Sequence, residues 1–284
     1  MLRTWRAIPA LLAAAIGVAA CGGGSDGGDP TVNSMVATPA AYGRTAVWTV
    51  SGLNLDKGVV FVITSGSCEN VAEIGEGTAF QRQFGCRVAS LGELVGQAND
   101  AGGSRLASLR VVIPKPLVRL SLPQGSIDLE LEPERAPATV DNFLDYVNSG
   151  FYNNTIFHRV VEDFVVQGGG FTPGSPNPLP KAATRPAIAL ESGNGLANVR
   201  GALAMARTSE PDSATSQFYI NVVDNPSLDY RSDAEPGYAV FGKVTAGLDL
   251  VDAISIVPTR AVPALGLTHL PVTDVVVTAA RQLR

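Results

Sequence analysis

Along this chain of 284 residues the spacing of apolar positions changes from segment to segment. From about Val32 to Pro116 it is short and strand-like. Ala46-Val47-Trp48-Thr49-Val50 and Val59-Val60-Phe61-Val62-Ile63 are β-rich runs, separated by the turn formers Gly52, Asn54, Asp56 and Gly58. Leu106 to Ile113 is a further run, and Pro114-Lys115-Pro116 acts as a hinge. A second unit begins near Leu117. There Val118-Arg119-Leu120-Ser121-Leu122 alternates, Pro123-Gln124-Gly125 supplies a turn, and Ile127 to Leu131 alternates again, which predicts a hairpin. Val140, Phe143, Leu144 and Val147 then recur at helical spacing, with Pro137 ahead of them and Gly150 behind, which predicts a helix. Strands are expected at residues 155–160, 164–167, 201–206, 217–222 and 238–244. Leu248, Val251 and Ile254 mark a second short helix. Thr273 to Ala280 alternates valine with polar residues and predicts a closing strand. Roughly eight strands and two helices in this half fit a closed β-barrel capped at its ends.

Composition adds limits. Hydrophobic residues are 45% and charged residues 17%, enough for a real core. The net charge is −5 and no Lys/Arg stripe stands out, which argues against a nucleic-acid partner. At the start, Arg3 and Arg6 precede an apolar run from Ala7 to Ala20, too short for a membrane span but suited to a secretory signal. The run ends Val18-Ala19-Ala20-Cys21 and a glycine-rich tether follows. This resembles a bacterial lipoprotein signal, residues 1–21, in which Cys21 becomes the lipidated N-terminus and residues 22–31 the tether. An ordinary signal with Cys21 a spare thiol is the alternative. Gly22, where an aspartate would favour retention, points to the outer membrane and a periplasm-facing anchor.

Two cysteines remain, Cys68 and Cys86. In a secreted chain an even pair predicts a disulfide. Zinc would need four ligands, and the only histidines, His158 and His269, lie far away in sequence. Short strands plus one disulfide predict a small immunoglobulin-like sandwich over residues 32–116, read as a spacer or adhesion module.

The stretch Phe157 to Phe171, FHRVVEDFVVQGGGF, is the richest in chemistry. Arg159 stands alone among Phe157, Val160, Val161, Phe164, Val165 and Val166, and Gln167 follows at once. An arginine and a glutamine against apolar walls suit an apolar ligand that carries carbonyls, such as a proline-containing peptide. The glycines 168–170 lack the Lys-Ser/Thr of a phosphate loop. His158 is expected on the face opposite Arg159. Asp224, Asp229 and Asp233 read as solvated loop residues, and no metal site is expected.

The blocks FHRV, FVVQGGGF, RGALAMAR, SATSQFYINV and GYAVFGKV occur in this order and resemble a cyclophilin-type peptidyl-prolyl isomerase of the bacterial kind, over residues 117–284. The resemblance implies a cyclophilin-like closed eight-stranded barrel and catalysis of Xaa-Pro rotation without a cofactor. It implies Arg159 as the catalytic donor and Gln167 as its support and the orienter of substrate. Phe164 would be the floor of the proline pocket, with Val165, Gln217, Tyr219, Leu228 and Tyr238 as further substrate-binding positions. Ala206, Arg207 and Thr208 would be the backbone segment along which a peptide lies. Departures from the family pattern are Val165 for methionine, Tyr219 for phenylalanine, Arg207 for asparagine, Ser227 for a rim tryptophan and Tyr238 for a rim histidine. The missing indole implies weak inhibition by cyclosporin. The expected function is assistance to the folding of secreted and envelope proteins by a monomer. The alternative is a proline-peptide-binding chaperone or adhesion module with little turnover.

Overall fold

The computed structural model describes residues 28–38 and 40–284, so the leader, Cys21 and most of the tether lie outside the described residues. The chain divides into two compact units between Pro114 and Lys115. Among the described residues no helix is long and apolar enough to cross a membrane.

The first unit contains β1 (Thr31–Thr38), β2 (Thr45–Leu53), β3 (Val59–Ser65), β4 (Cys68–Glu73), β5 (Gln81–Val88), β6 (Gly92–Asp100) and β7 (Arg105–Ile113). One sheet has the order β1-β2-β5-β4 and the other β3-β6-β7. Alternation on β2 buries Ala46, Trp48 and Val50 on one face. Trp48 meets Phe61 of the other sheet at 5.3 Å, and Phe61 stacks on Phe84 at 5.1 Å. The sheets therefore face each other as a sandwich, in the strand order of a constant-type immunoglobulin domain. The Cys68–Cys86 disulfide forms, but it joins neighbouring strands β4 and β5 of one sheet. An immunoglobulin domain typically bridges its two sheets instead.

The second unit opens with the hairpin β8 (Leu117–Leu122) and β9 (Gly125–Leu131). Helix α1 (Pro137–Asn148) follows, then β10 (Thr155–Val161), β11 (Val165–Gly168) and the small hairpin β12 (Phe171–Thr172) and β13 (Leu179–Pro180). Next come β14 (Ala202–Met205), β15 (Phe218–Asn221), β16 (Val240–Ala246) and α2 (Leu248–Ser255). A second hairpin, β17 (Thr259–Val262) and β18 (Leu267–Pro271), precedes β19 (Val276–Val277) and β20 (Ala279–Gln282). The large sheet has the order β19-β10-β11-β15-β14-β16-β9-β8-β20. β19 and β20 are two halves of one closing segment, broken at Thr278, and they pair with β10 and β8 at opposite edges. That single segment draws the edges together into a barrel. Such near-closure leaves little of the exposed edges on which strands aggregate.

α1 buries Val140, Phe143, Leu144 and Val147, the stripe the sequence predicts. Phe143 packs at 5.1–5.5 Å from the rings of Tyr152, Phe218 and Phe241. Ala136 offers the helix no side-chain cap. Glu191, from a distant loop, accepts from the N–H groups of Ala138 and Thr139 at 3.1 and 2.8 Å and from the Thr139 hydroxyl at 2.7 Å. It satisfies donors that a helix start leaves open and places a negative charge at the positive end of the dipole.

Candidate active site

Register across the large sheet sets the site. Arg159 pairs with Gln167, Gln167 with Tyr219, Tyr219 with Ala204, and Ala204 with Val240. Paired residues present side chains to the same face. One row across β10, β11, β15, β14 and β16 therefore gathers an arginine, a glutamine and a tyrosine over an apolar bed. Phe218, next to Tyr219, points the other way and packs against Phe143.

Simple alternation would put Phe157 and Arg159 on one face. They part because β10 carries a bulge: Phe157 lies opposite Gly168, and Arg159 opposite the next residue along, Gln167. The extra residue sends Phe157 into the core, where its ring lies 6.2 Å from that of Phe218. It turns Arg159 outward, a use of bulges common beside functional sites. His158 is the extra residue, and it does not line the pocket that Arg159 faces. It is buried against the ring of Phe171 at 4.7 Å, and its Nδ1 has no hydrogen-bond partner. Burial pushes its pKa down to about 4, offset in part by a hydrogen bond with Gln217. It is a neutral core residue at pH 7.

A pocket of about 280 Å³ opens on this face. Arg159, Gln167, Tyr219 and Val165 line it from the sheet, and Phe164 from the turn after β10. Ala206 and Arg207 line it from the end of β14, and Leu228 and Tyr238 from the loop before β16. The Arg159 guanidinium lies 5.5 Å from the Phe164 ring centroid, so the cation rests against the apolar floor. It makes no hydrogen bond or ion pair among the described residues. Burial lowers its pKa and the neighbouring Tyr238 raises it. A guanidinium stays protonated under either influence near neutral pH.

The remaining expected site residues divide. Gln217 stands one step behind the wall, and its Oε1 accepts from Gln167 Nε2 at 3.0 Å. This fixes the orientation of the Gln167 amide. Thr208 is exposed and outside the lining. Its N–H donates to Ser213 Oγ at 3.0 Å and its carbonyl accepts from Arg207 at 2.9 Å, so its backbone is already engaged. Ala206 and Arg207 are the part of that segment that faces the pocket.

Sequence reasoning missed a buried amide network beneath the site. The Tyr219 hydroxyl donates to Asn198 Oδ1 at 2.8 Å, and Asn221 Nδ2 donates to the same oxygen at 3.2 Å. Asn225 Nδ2 donates to Asn221 Oδ1 at 2.8 Å and to the Phe164 carbonyl at 3.0 Å. Asn198 Nδ2 donates to the Leu228 carbonyl at 3.1 Å and to Asp229 Oδ1 at 2.9 Å. The network thus ties the floor at Phe164 to the rim at Leu228. It also gives the Tyr219 hydroxyl the partner that a buried tyrosine needs. Burial pushes that hydroxyl's pKa up, so it remains a neutral donor. Asn221, flanked by Ile220 and Val222, was the one legible signal: an amide inside an apolar strand.

Residues 117–282 match the family model described as cyclophilin type peptidyl-prolyl cis-trans isomerase/CLD. Peptidyl-prolyl cis-trans isomerase A of Dickeya dadantii (strain 3937) is 54% identical over 145 residues, 51% of this chain and 74% of that protein. Peptidyl-prolyl cis-trans isomerase cyp18 of Streptomyces antibioticus is 49% identical over 168 residues, 58% of this chain and 98% of that protein. Peptidyl-prolyl cis-trans isomerase B of Escherichia coli (strain K12) is 52% identical over 137 residues, 48% of this chain and 81% of that protein.

Proposed function

The chain belongs to the cyclophilin-type peptidyl-prolyl cis-trans isomerase family, and from that premise we propose that its Arg159 pocket turns Xaa-Pro bonds in secreted and envelope polypeptides. The activity itself is that of the relatives, which align with 137 to 168 residues of this chain. The observation that carries the site assignment is Arg159: a half-buried guanidinium with no counter-ion among the described residues, held against an aromatic floor.

The barrier to be lowered is about 18–20 kcal/mol, because resonance stiffens the C–N bond. No bond is made or broken. The proline ring lies on Phe164 with Val165 and Leu228 at its sides. Gln167, fixed by Gln217, orients the peptide backbone. When the amide twists, its nitrogen regains a lone pair and its resonance is lost. Arg159 then donates to the proline nitrogen or the adjacent carbonyl, without giving up its proton. A donor held ready in a partly dry site contributes about 3–4 kcal/mol to such a step. Tyr238 and Arg207 border the exit, where one end of the peptide must stay free to rotate.

The leader supports an envelope setting: a short apolar run, small residues before Cys21 and a glycine tether. In our reading Cys21 is lipidated, the chain faces the periplasm from the outer membrane, and the sandwich unit is a spacer. Slow proline exchange can limit folding, so an isomerase suits that compartment. The test is refolding of a secreted protein limited by an Xaa-Pro isomer. Catalytic amounts of the chain should abolish the slow phase. Stoichiometric binding of the unfolded protein without acceleration would leave a holdase in place of the enzyme.

A further inference from the structure

We propose that Arg207 makes this pocket selective for prolines flanked by an acidic side chain. The inference rests on the isomerase reading above and adds the charge of the substrate to it.

Arg207 stacks on Tyr238, its guanidinium carbon 4.7 Å from the ring centroid. Nε and Nη2 donate to the Gly237 carbonyl at 3.0 and 2.8 Å. Nη1 donates to the Thr208 and Ser209 carbonyls at 2.9 and 3.2 Å. Every partner is a backbone carbonyl, and none of these groups carries a charge. Arg207 has no ion pair among the described residues. Its charge is therefore fixed in position and left unneutralised.

Arg159 faces the same space and also lacks an ion pair among the described residues. Asp229 is the carboxylate whose charge reaches Tyr219, but it does not line the pocket. Its Oδ1 is held by the Asn198 N–H at 2.6 Å and Nδ2 at 2.9 Å. The walls thus present two guanidinium charges and no carboxylate, on a chain whose net charge is −5. A half-enclosed space lined by one sign of charge attracts the opposite sign, whatever the net charge of the molecule.

The two arginines differ in what they can do. Arg159 is aimed at the rotating bond and acts on every substrate alike. Arg207 is pinned by carbonyls and an aromatic face at the end of β14, where an extended peptide carries the neighbours of its proline. A carboxylate about 7 Å from the Arg207 charge, in a half-solvated site, should gain a few-fold to about tenfold in apparent affinity. A basic side chain should lose a similar factor.

The experiment measures cis-trans exchange by NMR on the full chain. The peptides carry Glu, Gln or Lys just before proline, and in a second series just after it. In at least one series the Glu peptide should exceed the Gln peptide in kcat/KM by about three- to tenfold at low salt, through KM, with the Lys peptide slowest. The advantage should shrink at higher salt as the charges are screened. It should vanish in Arg207→Gln and persist in Arg207→Lys. Turnover with no Glu preference in either series overturns the proposal and leaves the isomerase reading standing. A preference that survives in Arg207→Gln overturns the role of Arg207. Should Arg207→Gln lose turnover of every peptide, the preference must persist in Arg207→Lys and decline with salt in the wild type, or the proposal fails. Absence of turnover on all peptides by the wild type overturns the isomerase reading itself.

Discussion

Arg159 faces the pocket because β10 carries one extra residue, His158, and that residue has a testable signature. Its pKa falls from 6.5 to about 4 in the folded state. Between those values the unfolded chain binds more protons than the folded one, so stability rises with pH. The contribution is complete above pH 6.5 and is lost as the pH falls toward about 4, a total of roughly 3 kcal/mol. Asp128 adds acid sensitivity of its own, since its hydrogen bond with Arg119 lowers its pKa. The test is therefore a difference: His158→Gln should flatten the stability-pH curve between pH 4 and 6.5 relative to wild type, as read by denaturant unfolding. An unchanged slope would contradict the burial argument. At this scale the sequence was informative about residue types and weak about directions. Arg159, Gln167 and Phe164 stand out as a polar pair in an apolar run. The bulge that separates Phe157 from Arg159 leaves no mark in the alternation, and the Asn198–Asn221–Asn225 network joins loops far apart in sequence.

Among the elements, α1 was the most legible, because its stripe, its leading proline and its trailing glycine agree. Its cap was not legible, since Glu191 arrives from a loop some fifty residues on, with contacts at sequence separations of 52 and 53. Glu191→Ala should cost about 1 kcal/mol of stability in denaturant unfolding, in line with the loss of a helix cap. A change below a few tenths would show that water replaces it fully. The hairpin of β17 and β18 escaped notice because Pro258, Pro263 and Pro271 interrupt its pattern. β4 escaped for a different reason: as an exposed edge strand, CENVAE buries no residue and shows no alternation. Its attachment to β5 depends in part on the disulfide, whose cysteines are 18 residues apart. Closing a loop of this size is worth about 3 kcal/mol. Cys68→Ala with Cys86→Ala should lower the stability of the sandwich unit by about that amount in calorimetry. A midpoint equal to wild type would mean the bridge contributes nothing to that unit.

At the scale of the whole molecule, a catalytic barrel and a sandwich lie behind a leader that our reading assigns to lipidation at Cys21. Mass spectrometry of the mature N-terminus should find a diacylglyceryl cysteine, and Cys21→Ser should move the chain from the membrane fraction to the soluble one. A mature N-terminus downstream of Cys21 would refute the anchor and leave the catalysis untouched. That the barrel's fold was legible owes much to five sequence blocks that coincide with β10, β11, β14, β15 and β16, the strands that carry the pocket row. The central claim is that Arg159 lowers the rotational barrier by donating to the twisted amide. It is tested most directly by cis-trans exchange of a proline peptide under the wild-type chain, Arg159→Ala and Arg159→Lys, with peptide binding followed alongside. Both variants should bind peptide and lose about a hundredfold or more in kcat/KM, since an ammonium cannot reproduce the guanidinium fork. Equal rates for wild type and Arg159→Ala would contradict the account.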